Sequence, residues 1–94
     1  MVLYKVKKSK INSVKKAIKY FIKEIRRKEP GTLFYRAFQK KDKTSFIHFM
    51  SFKNRKAEIK HANSPYCKKF VNILYPNCTK KPVFIDLKLV SKDK

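Results

Sequence analysis

The chain has 94 residues, 43% apolar and 14% aromatic, with a single glycine; that is enough for one modest core and too apolar for a disordered or collagen-like chain. Lys and Arg number 26 against 6 Asp and Glu, a net charge of +20, which attracts polyanions, although 22 of the cations are Lys scattered along the chain. So few acids exclude a two-carboxylate hydrolase, one glycine excludes a glycine-rich phosphate loop, and no apolar run approaches the ~20 residues of a membrane-crossing helix.

Val2, Tyr4 and Val6 alternate with Leu3, Lys5 and Lys7, the period of a strand. From Ile11 the apolar positions Val14, Ala17, Ile18, Phe21, Ile22 and Ile25 keep the spacing of one helical face, opposite a face of Lys and Arg. Pro30 stops this helix, and Gly31 is expected to take a left-handed turn beyond it. Thr32–Gln39 and Ser45–Phe52 read as strands joined in a hairpin around Asp42. Apolar residues occupy both parities of these strands, so both faces need cover. Asn54 caps a helix running to about Ala62, and Ser64-Pro65 starts another, with Cys67, Phe70, Val71 and Leu74 as its apolar stripe. Tyr75-Pro76-Asn77 ends it, and Val83–Val90 reads as a fourth strand before a charged tail, 91–94.

The expectation is one α+β domain over residues 1–94 with the ferredoxin-like order β-α-β-β-α-β, a four-stranded antiparallel sheet carrying its helices on one face. The other face is left bare and apolar, and bare apolar patches mark association sites; a homodimer joined through its sheet faces is the physical inference. Lysines inside the first apolar stretch do not suit an export signal, so a cytoplasmic protein with two reduced thiols, Cys67 and Cys78, and no membrane partner is expected.

The run Glu29-Pro30-Gly31-Thr32-Leu33-Phe34-Tyr35, followed by a hairpin, then Phe52-Lys53-Asn54-Arg55-Lys56-Ala57, and His61 and Ser64 at the matching spacing, resembles the antibiotic biosynthesis monooxygenase family. The resemblance spans about residues 2–90. It implies a dimeric α+β barrel with a small apolar pocket between sheet and helices, and oxygenation of quinol-like or polyphenol substrates without metal or organic cofactor. The chain departs from the family in three places: Phe52 stands where Trp is frequent, no Asn occurs in Val2–Lys8, and Val71 stands where the haem-degrading members have a ligating His.

On this reading His61 is the candidate catalytic base, since imidazole titrates near neutrality; the plainer reading is a helix-terminal His bonded to a backbone carbonyl. Tyr35, Phe52, Tyr66 and His48 are the candidate substrate-pocket residues. A phenol such as Tyr35 or Tyr66 can hydrogen-bond a quinol oxygen while its ring packs on the substrate; the commoner role of a tyrosine so placed is a core position with a wet hydroxyl. His48 shares a parity with Phe46, Met50 and Phe52, and with no carboxylate or thiolate close in sequence it is a poor metal ligand and a better core histidine. Arg36 is free to hold an acidic substrate or pair with Asp86. No metal and no cofactor are expected, and the partner is a small aromatic molecule. The alternative is a basic ferredoxin-like module binding RNA or another polyanion, with Phe46 and Phe49 stacking on bases.

Overall fold

The structure, a computed structural model, describes residues 1–93. Its elements are β1 (Val2–Lys5), α1 (Ile11–Lys28), β2 (Thr32–Gln39), β3 (Ser45–Phe52), α2 (Arg55–Ala62), α3 (Pro65–Leu74) and β4 (Val83–Phe84). The strands form one antiparallel sheet in the order β2-β3-β1-β4. The helix ends form where the local chemistry asks for them. Asn54 accepts from the Ala57 amide at 2.9 Å to open α2, and Ser64 from the Cys67 amide at 3.1 Å to open α3, with Pro65 in the first turn. In the hairpin loop Asp42 accepts from the amides of Thr44 (3.0 Å) and Ser45 (2.8 Å).

The core lies between one sheet face and the helices. Val14, Ile18, Phe21 and Ile25 of α1 and Phe70 and Leu74 of α3 close over Tyr4, Val6 and Phe46. The strand register sorts the two parities. Ala37, His48, Val2 and Phe84 form a row beneath the helices, and Phe38, Ile47, Leu3 and Val83 form the matching row on the uncovered face. A register irregularity between Thr32 and Phe34 shifts the alternation of β2, so Leu33, grouped by parity with Tyr35 and Ala37, ends up exposed.

Two sequence expectations change. Gly31 has no positive φ; it is small because a Cβ there would lie 2.6 Å from the Ala57 Cβ, at the point where α2 meets the end of α1. Gly31→Ala is therefore expected to cost about 1–3 kcal/mol by overpacking, read as a fall in the urea midpoint, and Gly31→Ala/Ala57→Gly to recover most of it. The fourth strand is two residues long, not eight. Met1 and Ile85 exchange backbone hydrogen bonds at 2.9 Å, and there β1 begins. Antiparallel pairing leaves Asp86–Val90 with no neighbouring strand, so Leu87, Leu89 and Val90 stay exposed despite their alternation.

Candidate functional site

Two buried polar clusters lie beneath the helices. In the first, the register brings β1, β3 and β2 side by side, so Tyr4, His48 and Tyr35 meet. The Tyr4 hydroxyl lies 2.7 Å from His48 Nε2 and the Tyr35 hydroxyl 2.8 Å from Nδ1. His48 is 1% exposed, and burial pushes its pKa down to about 4. The imidazole is thus neutral at pH 7, with one nitrogen donating and the other accepting. One tyrosine donates into the ring and the other accepts from it. Burial pushes both phenols well above the ordinary tyrosine range, so the chain Tyr4–His48–Tyr35 carries no net charge.

The second cluster centres on Glu29, the residue that closes α1 by donating its amide to the Ile25 carbonyl at 3.0 Å. Its carboxylate turns inward and is almost wholly buried. Thr32 Oγ1 donates to Oε1 at 2.6 Å, the Tyr66 hydroxyl donates to Oε2, and His61 Nδ1 lies 3.0 Å from Oε1. Thr32 comes from the start of β2, His61 from the last turn of α2 and Tyr66 from the first turn of α3, so one carboxylate ties four elements together. A carboxylate can only accept, so a proton sits on Nδ1 and, in neutral His61, Nε2 carries the lone pair. His61 thus pairs with a carboxylate where a backbone carbonyl was the plainer expectation. Burial raises the Tyr66 pKa, and its hydrogen bond to Glu29 raises it further.

Phe21 separates the clusters. Its ring stacks on Phe70 at 4.6 Å and packs against Tyr35 at 5.4 Å and His61 at 5.5 Å. Tyr35 spans the gap, with its hydroxyl on His48 and its ring 5.5 Å from that of His61; Phe52 covers His61 from the other side at 5.2 Å. An apolar cavity of about 70 Å³ opens beside the first cluster, lined by Tyr4, Tyr35, His48, Cys67, Phe70 and Phe84, among others. Of the sequence candidates, Tyr35 and His48 line it, while His61 and Tyr66 bond Glu29 and Phe52 packs on the His61 ring. Burial raises the pKa of the Cys67 thiol, away from a reactive thiolate. Arg36 lies over the Phe34 ring at 5.0 Å and makes no ion pair with Asp86 among the described residues. Phe46, expected to stack on bases in the RNA alternative, is 2% exposed and belongs to the core.

The sequence profile of the antibiotic biosynthesis monooxygenase family matches residues 1–73. The chain belongs to this family. A comparison with curated proteins yields no match, whereas solved structures give the same fold at low identity. An antibiotic biosynthesis monooxygenase superposes with TM-score 0.87 at 16% identity, over 96% of this chain and 95% of that one. A candidate antibiotic biosynthesis monooxygenase of Nitrosomonas europaea gives 0.81 at 22% identity, over 87% and 79%. One from Caulobacter crescentus gives 0.82 at 20% identity, over 87% and 78%. The ferredoxin-like α+β fold is thereby that of the antibiotic biosynthesis monooxygenases. Among the described residues no helix is long and apolar enough to cross a membrane, and no three His, Cys, Asp or Glu side chains are grouped to hold a metal.

Sequence reading assigned no role to Glu29, Tyr4 or Phe21. A signal for Glu29 was present: it is one of six acids and sits at the C-terminal end of a basic helix, where the helix dipole disfavours a negative charge. An acid in that position implies buried donors elsewhere in the chain.

Proposed function

We propose that this chain acts as a homodimer, joined through its uncovered sheet faces, that binds a small electron-rich phenol or quinol and oxygenates it without a cofactor. The dimer reading is supported by the apolar row Phe38, Ile47, Leu3 and Val83, with Phe38 and Val83 more than half exposed. The binding reading is carried by one observation: two phenol hydroxyls and a neutral imidazole, fully hydrogen-bonded to one another, wall a small apolar cavity. A cavity of about 70 Å³ has room for roughly two waters at about 30 Å³ each, and a substrate needs more. The wall that gives way is Pro82–Phe84, since only Val83 and Phe84 pair with β1.

The substrate hydroxyl loses its proton to a histidine. Both nitrogens of His48 are occupied by tyrosines; Nε2 of His61 has no hydrogen bond among the described residues, and Glu29 holds the opposite nitrogen. His61 is therefore the proposed base; it does not line the cavity, so the substrate reaches it by parting the Phe21 and Tyr35 rings that pack against it, while Tyr35 and His48 orient the substrate ring. The phenolate passes one electron to O2, the resulting radicals join at a ring carbon, the peroxide so formed takes back the proton from His61, and the hydroperoxide loses water. A phenol and O2 thus become a quinone and H2O, with one atom of O2 in each product and all four electrons supplied by the substrate. Exclusion of water protects these intermediates. The test is oxygen uptake with a panel of hydroquinones and polyphenols in air. The expected result is one O2 consumed per quinone formed, with His61→Ala lowering kcat about a hundredfold or more and Tyr35→Phe acting mainly on KM. Binding of the panel without oxygen uptake would reduce the protein to a binder, and equal rates for His61→Ala would remove His61 as the base.

A further inference from the structure

The outer surface of the helix layer carries one sign of charge. On α1 the core residues Val14, Ile18, Phe21 and Ile25 define the inward face, and Lys15, Lys16, Lys19, Lys23 and Arg26 cover the side turned away from it. All five are exposed, and none has an ion-pair partner among the described residues. α3, which packs against α1 through Phe21 and Phe70, adds Lys68 and Lys69, both exposed. The acids that would cancel this field are withdrawn from it. Glu24, the sole acid of α1 and α3, is buried and engaged by Arg27 and Lys28. Glu29 turns into the second cluster, and Glu58 pairs with Arg55.

An apolar furrow lies inside this cationic layer. Between α1 and α3 runs a groove of about 350 Å³, lined by Ala17, Tyr20, Phe70 and Ile73 and flanked by Lys16 and Lys69. Tyr20 is 43% exposed, and the Lys69 ammonium lies 4.4 Å from its ring centroid. A tyrosine ring beside a long cationic side chain suits a bilayer interface, where the ring sits at headgroup level and the ammonium reaches the phosphates. The groove includes no residue of β2, and the dimer proposed above uses the opposite face of the sheet, so this layer is outermost whether or not two sheets pair.

We propose that the helix layer docks on an anionic lipid bilayer, with α1 and α3 against the headgroups and apolar parts of the lipid entering the groove between them. Two features choose this partner. The cations spread across the whole solvent side of α1, whereas an acidic helix seated in the groove would meet only Lys16 and Lys69. The apolar groove has no counterpart on a nucleic-acid backbone, whereas a lipid offers an anionic head and an apolar chain together. Docking of this kind needs no crossing segment, and it replaces the expectation of no membrane partner.

The chain has no tryptophan, so Tyr20→Trp gives a single fluorescent reporter. With mixed phosphatidylcholine–phosphatidylglycerol vesicles its emission should shift to the blue and be quenched by lipids brominated on their chains; pure phosphatidylcholine vesicles should do neither. Binding should weaken as salt rises. Lys16→Glu/Lys23→Glu should lower vesicle affinity about tenfold or more, against less than about threefold for Lys40→Glu/Lys41→Glu, the same charge change in the β2–β3 loop. All four lysines are exposed, so circular dichroism should match the parent in both variants. Equal losses for the two double variants would overturn the proposal by reducing binding to the net charge of +20. So would vesicle binding without blue shift or quenching, which leaves the groove unused. Capture of duplex RNA in preference to the vesicles when both are present would make a nucleic acid the occupant and overturn it too. None of these outcomes bears on oxygen uptake, so this surface and the buried site fail independently.

Discussion

Glu29→Ala is expected to lower the unfolding free energy by roughly 3–5 kcal/mol, the scale of removing one partner from a buried charged network. The carboxylate accepts from Thr32, His61 and Tyr66, and the alanine leaves those buried donors without an acceptor. One effect opposes this. The carboxylate sits at the C-terminus of α1, and removing it relieves an unfavourable dipole interaction of about 0.3–1 kcal/mol. The lost hydrogen bonds outweigh that several times over. Glu29→Gln keeps one acceptor oxygen, but its NH2 group cannot accept from a hydroxyl, so an intermediate loss of about 1–3 kcal/mol is expected. Since small domains have total stabilities of about 5–15 kcal/mol, urea denaturation resolves the series readily. A Glu29→Ala protein within about 1 kcal/mol of the parent would show that the cluster contributes nothing to holding α1, β2, α2 and α3 together.

Acidification is expected to destabilise the protein through His48. In the folded state its pKa is pushed down to about 4 by burial, while in the unfolded chain it lies near 6.5. Between these values the unfolded state binds the proton and the folded state does not, so stability rises with pH across that window. The contribution is fully present above about pH 6.5 and falls away as the pH drops toward 4. The displacement corresponds to about 3 kcal/mol at most. The groups in contact with the ring are the hydroxyls of Tyr4 and Tyr35 and the ring of Phe70, none of which gains charge in this range. Urea midpoints measured from pH 7.5 to 4.5 should fall more steeply for the parent than for His48→Gln, which does not titrate. Parallel slopes for the two proteins would mean that His48 accepts its proton inside the fold at little cost.

These two residues illustrate different kinds of legibility. The inward orientation of His48 was readable from strand parity, because alternation along β3 fixes which residues share a side. Its partners were not, since Tyr4 and Tyr35 reach it from 44 and 13 residues away through a three-strand register. Glu29 stood out only as an odd acid, and its contacts with His61 and Tyr66 close over 32 and 37 residues. The gathering of His61, Tyr66 and Phe52 on one side of Phe21, with Tyr35 and His48 on the other, has no sequence signal, because helix docking sets it.

The sequence by itself determined the βαββαβ order, the boundaries of α1, β2 and β3, the two capped helices and the family, all of which rest on interactions within a few residues or on patterns that repeat along one element. Only the tertiary structure decided that β4 stops at Phe84 and that Gly31 is held small by a packing contact with Ala57, in a turn that is not left-handed. A strand needs a neighbour and a contact needs a second surface, and neither is encoded in the stretch of chain that uses it.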